Sequence, residues 1–215
     1  MAVPYPRTRE FQSFKANLEY ARKMVTTGKH LEGLQVGSAD VGDLYRAAWV
    51  QAVSAIDHWF HEELYRRVAE LAAQDSGLPY QLTRFELPLE AVEKVLRGTV
   101  TLADAVAEHA KAKWANASLQ NPRKISEALK LVTEKNVWAE AAEQTNEWFG
   151  RRTSMTEKSL KQKYISITDR RNKIAHEADL REDGRGRRLI TEADVTDTIN
   201  WIERIALAIA KVLDN

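Results

Sequence analysis

The sequence predicts an all-α protein, a bundle of roughly six to eight helices around one long central helix. Apolar residues recur at intervals of three and four through most of the 215 positions, the spacing of a helix with one buried face. All five prolines fall at element boundaries, and the nine glycines stay out of the long periodic segments. With 44% hydrophobic and 29% charged residues, the chain can bury a core and stay in solution.

In order, Phe11, Phe14, Leu18, Ala21 and Val25 share one helical face. A loop is expected from Thr26 to Val41. Asp40 or Asp43 then caps a second helix running to about Ala73, with Leu44, Ala48, Ala52, Ile56, Phe60 and Leu64 on one stripe. This is the expected central helix. The text DSGLPYQLTRFELP, from Asp75 to Pro88, has turn chemistry and no period, and is read as an irregular or short extended connection. Leu89 to Leu96, Leu102 to about Leu119 and Pro122 to about Phe149 read as helices, with a break near Asn136 and with Asn121 and Pro122 as cap and first turn. Met155 to Ala178 follows. Thr191 with Asp194 opens the last helix, where Val195, Ile199, Ile202, Ala206, Ile209 and Leu213 form a stripe. The connection before it is polar, with Gly184 and Gly186 suited to a tight turn. No repeat or linker interrupts the pattern, so residues 1–215 are expected to form a single helical domain.

Zero cysteines exclude disulfides, thiolate metal sites and cysteine nucleophiles, and fit a reducing cytoplasm. The N-terminal MAVPYPRTREFQ lacks the apolar run of a secretory signal, and no stretch approaches the roughly 18 apolar residues of a membrane span. A soluble cytoplasmic protein with no membrane partner is the expectation. The net charge of +1 excludes a uniformly basic nucleic-acid binder. Its distribution is uneven, with twelve Lys or Arg against six Asp or Glu between Arg151 and Ile190. Such a stretch, 151–190, has the electrostatics of a phosphate-binding surface, and equally those of a solvated helix laced with ion pairs.

Inside this stretch stands DRRNKIAHEAD, Asp169 to Asp179. RNA is cleaved without metal when its 2′-hydroxyl attacks the neighbouring phosphorus. That reaction needs a base near neutral pKa, an acid for the departing 5′-oxygen and a fixed cation on the phosphorane. His176 and Arg171 are the right types. Five residues apart on a helix, they stand about 140° from each other and flank a groove. Asn172 and His176, at i and i+4, sit side by side, so the amide can orient the imidazole. The same residues also suit a helix C-terminus, where cations complement the macrodipole.

RRNKIAH, late in a helical chain and before a polar turn and a final amphipathic helix, resembles the signature of the HEPN superfamily. DLYRAAWVQAVSAIDHWFHEEL, NPRKISEALKLVTEKNVWAEAAE and SITDRRNKIAHEADLREDGRGRRLITEADV are similar to the RiboL-PSP type, over Asp43 to Leu213. The resemblance implies a HEPN-type bundle acting as a homodimer, in which two motifs meet as one metal-independent endoribonuclease site made by Arg171, His176 and Asn172. It also implies a toxin or an antiphage, abortive-infection role under an antitoxin or operon-encoded regulator. A polar residue on the second helix, Asp57 or His61, is implied to orient His176 or its partner. HEPN domains that only bind RNA or a protein are the alternative, and a pure oligomerisation domain is a third reading.

Arg170 and Lys173 are read as binding flanking phosphates, with ion pairs to Asp169 and Glu177 as the competing reading, and Arg185, Arg187 and Arg188 form a second basic knot. His58 and His61 lack the HExxH arrangement, so no metal and no cofactor is expected. His30 and His109 are read as surface residues. Trp49, Trp59, Trp138, Trp148 and Trp201 are read as core or interface residues rather than base-stacking platforms.

Overall fold

The computed structural model describes residues 3–34, 40–74, 77–150 and 154–214. These form nine helices and no strand: α1 (Arg9–Gly33), α2 (Val41–Ala72), α3 (Tyr80–Thr83), α4 (Leu89–Leu96), α5 (Leu102–Trp114), α6 (Pro122–Leu129), α7 (Val137–Phe149), α8 (Glu157–His176) and α9 (Glu192–Asp214). The fold is all-α, as its sequence predicts. Two features raise the helix number. The connection after α2 contains the single turn α3, and the segment from Pro122 to Phe149 is broken at 130–136, where Asn136 accepts a 3.3 Å bond from the Ala139 amide and caps α7.

Helix α1 corrects the expected loop from Thr26 to Val41, because it runs on to Gly33. Gly28 continues the buried stripe of Phe11, Phe14, Leu18, Ala21 and Val25. A Cβ there would stand 2.6 Å from the Tyr45 ring, so glycine permits the close approach of α1 to α2. Packing thus overrides the low helix propensity of the TTG text. Positions 35–39 of the expected loop, together with Asp75, Arg151 and Arg152, lie outside the described residues.

Helix α2 is the central element. Asp40 accepts the Gly42 amide at 2.9 Å and caps it. Tyr45, Ala48, Ala52, Val53, Ile56, Trp59, Phe60 and Leu64 are buried on several sides, because α2 packs against α1, α5, α6, α8 and α9. Leu44, expected on the stripe, is only half-buried, and Tyr45 beside it is inside. Helix α5 ends at Trp114, short of Leu119, and the chain runs back along α2, past His61 and Asp57, before Asn121 and Pro122 open α6. Thr191 and Asp194 exchange bonds of 3.2 and 2.9 Å and start α9, whose Val195, Ile199, Ile202, Ala206 and Ile209 are buried. One apolar cluster runs from Phe11 to Val212. Trp59 and Trp138 lie inside it, with Trp49, Trp148 and Trp201 half-buried at its edge. His30 is exposed, whereas His109 is half-buried against Phe85, with ring centroids 5.5 Å apart. No helix among the described residues is long and apolar enough to cross a membrane.

Candidate active site

Helix α8 carries the motif, and several contacts fix its course. At its start, Thr156 Oγ1 accepts the Ser159 amide at 3.1 Å and Ser159 Oγ accepts the Thr156 amide at 2.8 Å. On α2, Trp49 donates its indole N–H to the Ile167 carbonyl at 2.9 Å. Tyr164, fully buried, donates to the Leu119 carbonyl at 3.1 Å. Leu160, Tyr164 and Ile167 bury one face, and Arg171, four residues past Ile167, continues it toward α2. Arg171 is half-buried, while Asn172 and His176 are exposed on other faces.

The helix stops at His176 because the chain turns left-handed. Ala178 and Asp179 have φ of 50° and 55°, and the Glu177 and Asp179 amides both donate to the Lys173 carbonyl, at 3.0 and 2.9 Å. Non-glycine residues in that region cost on the order of 1–3 kcal/mol each and need support from their surroundings. Asp179 receives it. Its side chain is wholly buried, and Oδ2 accepts Arg46 Nε from α2 and Arg170 Nη2 from α8, both at 2.9 Å. Arg46 Nη2 also donates to the Arg188 carbonyl at 2.8 Å, and the Arg188 amide donates to the Asp179 carbonyl at 2.8 Å. One carboxylate therefore ties together the central helix, the end of α8 and the far side of the polar turn. That turn closes through Gly184 and Gly186, at φ 66° and 94°, which glycine adopts without strain.

Arg170, read from sequence as a phosphate ligand, is committed to bonds within its own chain. Besides Asp179 it donates to the Leu189 carbonyl at 3.2 Å. Burial pushes its pKa below the ordinary value, Asp179 acts against that shift, and the charges of Arg188 and Arg46 add to it. Arg187 pairs with Asp43 and lies 4.0 Å from Asp40, and Arg188 stands 3.5 Å from Glu182. Lys173 and Arg185 have no ion-pair partner among the described residues, nor has His176.

Arg171 faces a cleft of about 360 Å³ bordered by α2, α5 and α8. Its Nη1 donates to Asn172 Oδ1 at 3.1 Å, and its buried Nε has no hydrogen-bond partner among the described residues. The structure brings Arg171 together with Asp57 and His61 in this cleft, but His176 does not line it. Asp57 and His61 have their own partners. Asp57 Oδ1 accepts the Leu119 amide at 2.7 Å and Oδ2 accepts Gln120 Nε2 at 3.1 Å. His61 Nε2 lies 2.9 Å from the Ala117 carbonyl, and Nδ1 lies 2.8 Å from the Asp57 carbonyl. Both residues hold the segment after α5 against α2. His58 and His61 share the cleft, and no group of three or more His, Cys, Asp or Glu side chains suited to a metal occurs among the described residues.

Chemically, the end of α8 offers an exposed imidazole and a guanidinium that no carboxylate among the described residues pairs with, at the edge of a basic turn. Sequence reasoning missed Asp179 and Arg46, which hold that end in place. A signal for Arg46 exists, an arginine beside the apolar stripe of the central helix; nothing local in HEADL announces that Asp179 turns inward.

The comparison with curated proteins and that with solved structures found no match. The family model described as RiboL-PSP-HEPN matches residues 16–215, from within α1 through the end of α9 and across the whole motif. The chain belongs to the RiboL-PSP-HEPN family.

Proposed function

We propose that the chain is a metal-independent endoribonuclease whose active centre is completed by a second copy of itself. The alternative for a HEPN domain is an RNA-binding or protein-interaction module without catalysis. The observation that carries the catalytic reading is the end of α8, where the uncommitted imidazole of His176 stands five residues from Arg171. In the reaction the RNA 2′-hydroxyl attacks the adjacent phosphorus and gives its proton to one imidazole. The bond to the 5′-oxygen breaks as that oxygen takes a proton from a second imidazole, leaving a 2′,3′-cyclic phosphate and a 5′-hydroxyl. Arg171 donates to the non-bridging oxygens and opposes the charge of the phosphorane, while Asn172 holds the guanidinium.

One protomer supplies one such imidazole, so two α8 ends must meet. Leu180 and Leu189, 47% and 86% exposed beside that end, support an interface there. Lys173 and Arg185 bind flanking phosphates, joined by Arg187 and Arg188 once their weak surface pairs exchange for RNA. Arg170 instead positions the motif through Asp179, and Asp57 and His61 act through the segment after α5. The continuous apolar cluster supports reading residues 1–215 as one domain. In a cytoplasm such an enzyme acts as a toxin or antiphage effector and needs an antitoxin or operon-encoded regulator.

The test is cleavage of total RNA in EDTA by the wild type and by His176→Ala, with analysis of the fragment ends. Cleavage by the wild type alone, with cyclic phosphate ends, is expected. Cleavage that needs a metal, or that survives His176→Ala, overturns the mechanism. RNA binding without cleavage in any condition moves the assignment to the binding module.

A further inference from the structure

We propose that the cleft bordered by α2, α5 and α8 is a groove for single-stranded RNA, carrying the strand from the phosphate at Arg171 to a flanking phosphate held by Lys111, past Tyr65 and His58. This rests on RNA being the ligand of the motif, and it adds a binding site on α5, outside the motif and its basic turn.

Packing sets the direction of the groove. The segment after α5 follows α2 backwards, with the Ala117 carbonyl on His61 and the Leu119 amide on Asp57, so Lys111 lies towards the Tyr65 end. Helix α8 runs against α2 with Tyr164 edge-on to Phe60 and the Ile167 carbonyl on Trp49, so Arg171 lies towards the Ser54 end. From Ser54 to Tyr65 is about 16 Å along a helix, the length of about two or three nucleotides of extended strand.

The lining suits a nucleic acid better than a small acid. Lys111 is exposed and has no ion-pair partner among the described residues, which leaves its ammonium free for a phosphate. Tyr65 is half-buried with its ring tilted at 54° against His61, centroids 6.0 Å apart, and exposed His58 offers a second ring. Each Asp57 oxygen already accepts one bond within the fold, whereas Glu62, also lining the cleft, accepts none among the described residues and is the better-placed carboxylate for a base amino group. Burial, with the nearby Glu62 second, pushes the Tyr65 phenol up from its ordinary value.

The experiment measures the affinity of a labelled single-stranded RNA 12-mer for the full chain carrying His176→Ala, between 50 and 200 mM KCl, so that binding is read without cleavage. Adding Lys111→Ala should weaken binding about fivefold at low salt and flatten the plot of log affinity against log salt by about 0.7. Lys111→Arg should restore both, and Tyr65→Ala should weaken binding about tenfold. Lys15→Ala, on exposed α1 surface, should change neither. Unchanged affinity and slope in Lys111→Ala, or no binding by the parent, overturns the groove. Cleavage by the unsubstituted chain is scored separately: cleavage with an unaffected Lys111→Ala removes the groove and keeps the enzyme. The reverse pair of results keeps the groove and removes the enzyme.

Discussion

Asp179→Asn is the most informative substitution in this protein. Asparagine keeps the size of the side chain and tolerates the left-handed backbone, so the change tests the charge and not the turn. Asp179 is wholly buried, and the side chains of Arg46 and Arg170 are 9% and 19% exposed. Each guanidinium attracts the carboxylate by about 4 kcal/mol at an effective dielectric near 20. The two cations repel each other, and each buried ion costs several kcal/mol to desolvate, so the pair gives little net stabilisation over an apolar replacement. Removing the carboxylate alone is different, because Arg170 then lacks a counterion and the buried Arg46 keeps only the exposed Asp43 and Asp40, at 3.5 and 3.7 Å, and the expected loss is about 3 kcal/mol. For a chain of this length that lowers Tm by about 6–12 °C. Urea unfolding of the wild type, Asp179→Asn, Arg46→Ala and the double variant should show coupling of at least about 1.5 kcal/mol between the two sites. RNA cleavage should fall further than the folded fraction does, since the end of α8 is what Asp179 anchors. An unfolding free energy within about 0.5 kcal/mol of the wild type would refute the reasoning.

Three further outcomes follow from the same geometry. Arg171→Lys keeps the charge but loses the planar fork, so cleavage should fall by about 10²–10³-fold with the Tm unchanged, checked by initial rates beside thermal melts. Asp57→Ala strips the Leu119 amide and Gln120 of their acceptor and should cost about 1–2 kcal/mol in urea unfolding, with loosened amide exchange at 115–121. Burial, with the charge of Asp57 second, holds the Tyr164 phenol well above its ordinary pKa. The folded state therefore keeps a proton that the unfolded chain loses near pH 10, so this contribution is full below about pH 10 and falls by up to about 1.4 kcal/mol per pH unit above it. Tyr164→Phe should remove that slope from urea unfolding at pH 9–11, at a cost of about 1 kcal/mol for the lost bond to Leu119.

Much of the fold is legible in the sequence because helices announce themselves by local period and by caps. Val41–Ala72, Leu89–Leu96 and Glu192–Asp214 lie within about two residues of their expected limits, since Asp40 and Thr191 cap through bonds to amides only a few residues away and Pro88 fixes the backbone at the start of α4. Where the limits moved, a distant partner decided. Helix α1 continues past Val25 because Gly28 meets Tyr45, and α5 stops before Leu119 because the chain there must satisfy Asp57 on another helix.

The motif itself is a local pattern, so Arg171, Asn172 and His176 are named by sequence alone, as are the Gly184 and Gly186 turn and the uneven charge. What sequence leaves open is which cations are free. Arg170 and Arg171 are adjacent and chemically identical, yet one is fixed to a buried carboxylate and the other faces a cleft, because successive helical residues point about 100° apart. Only the tertiary structure makes that distinction, since the Asp179 that binds Arg170 is turned inward by Arg46, 133 residues away in the chain, a pairing that no local pattern encodes.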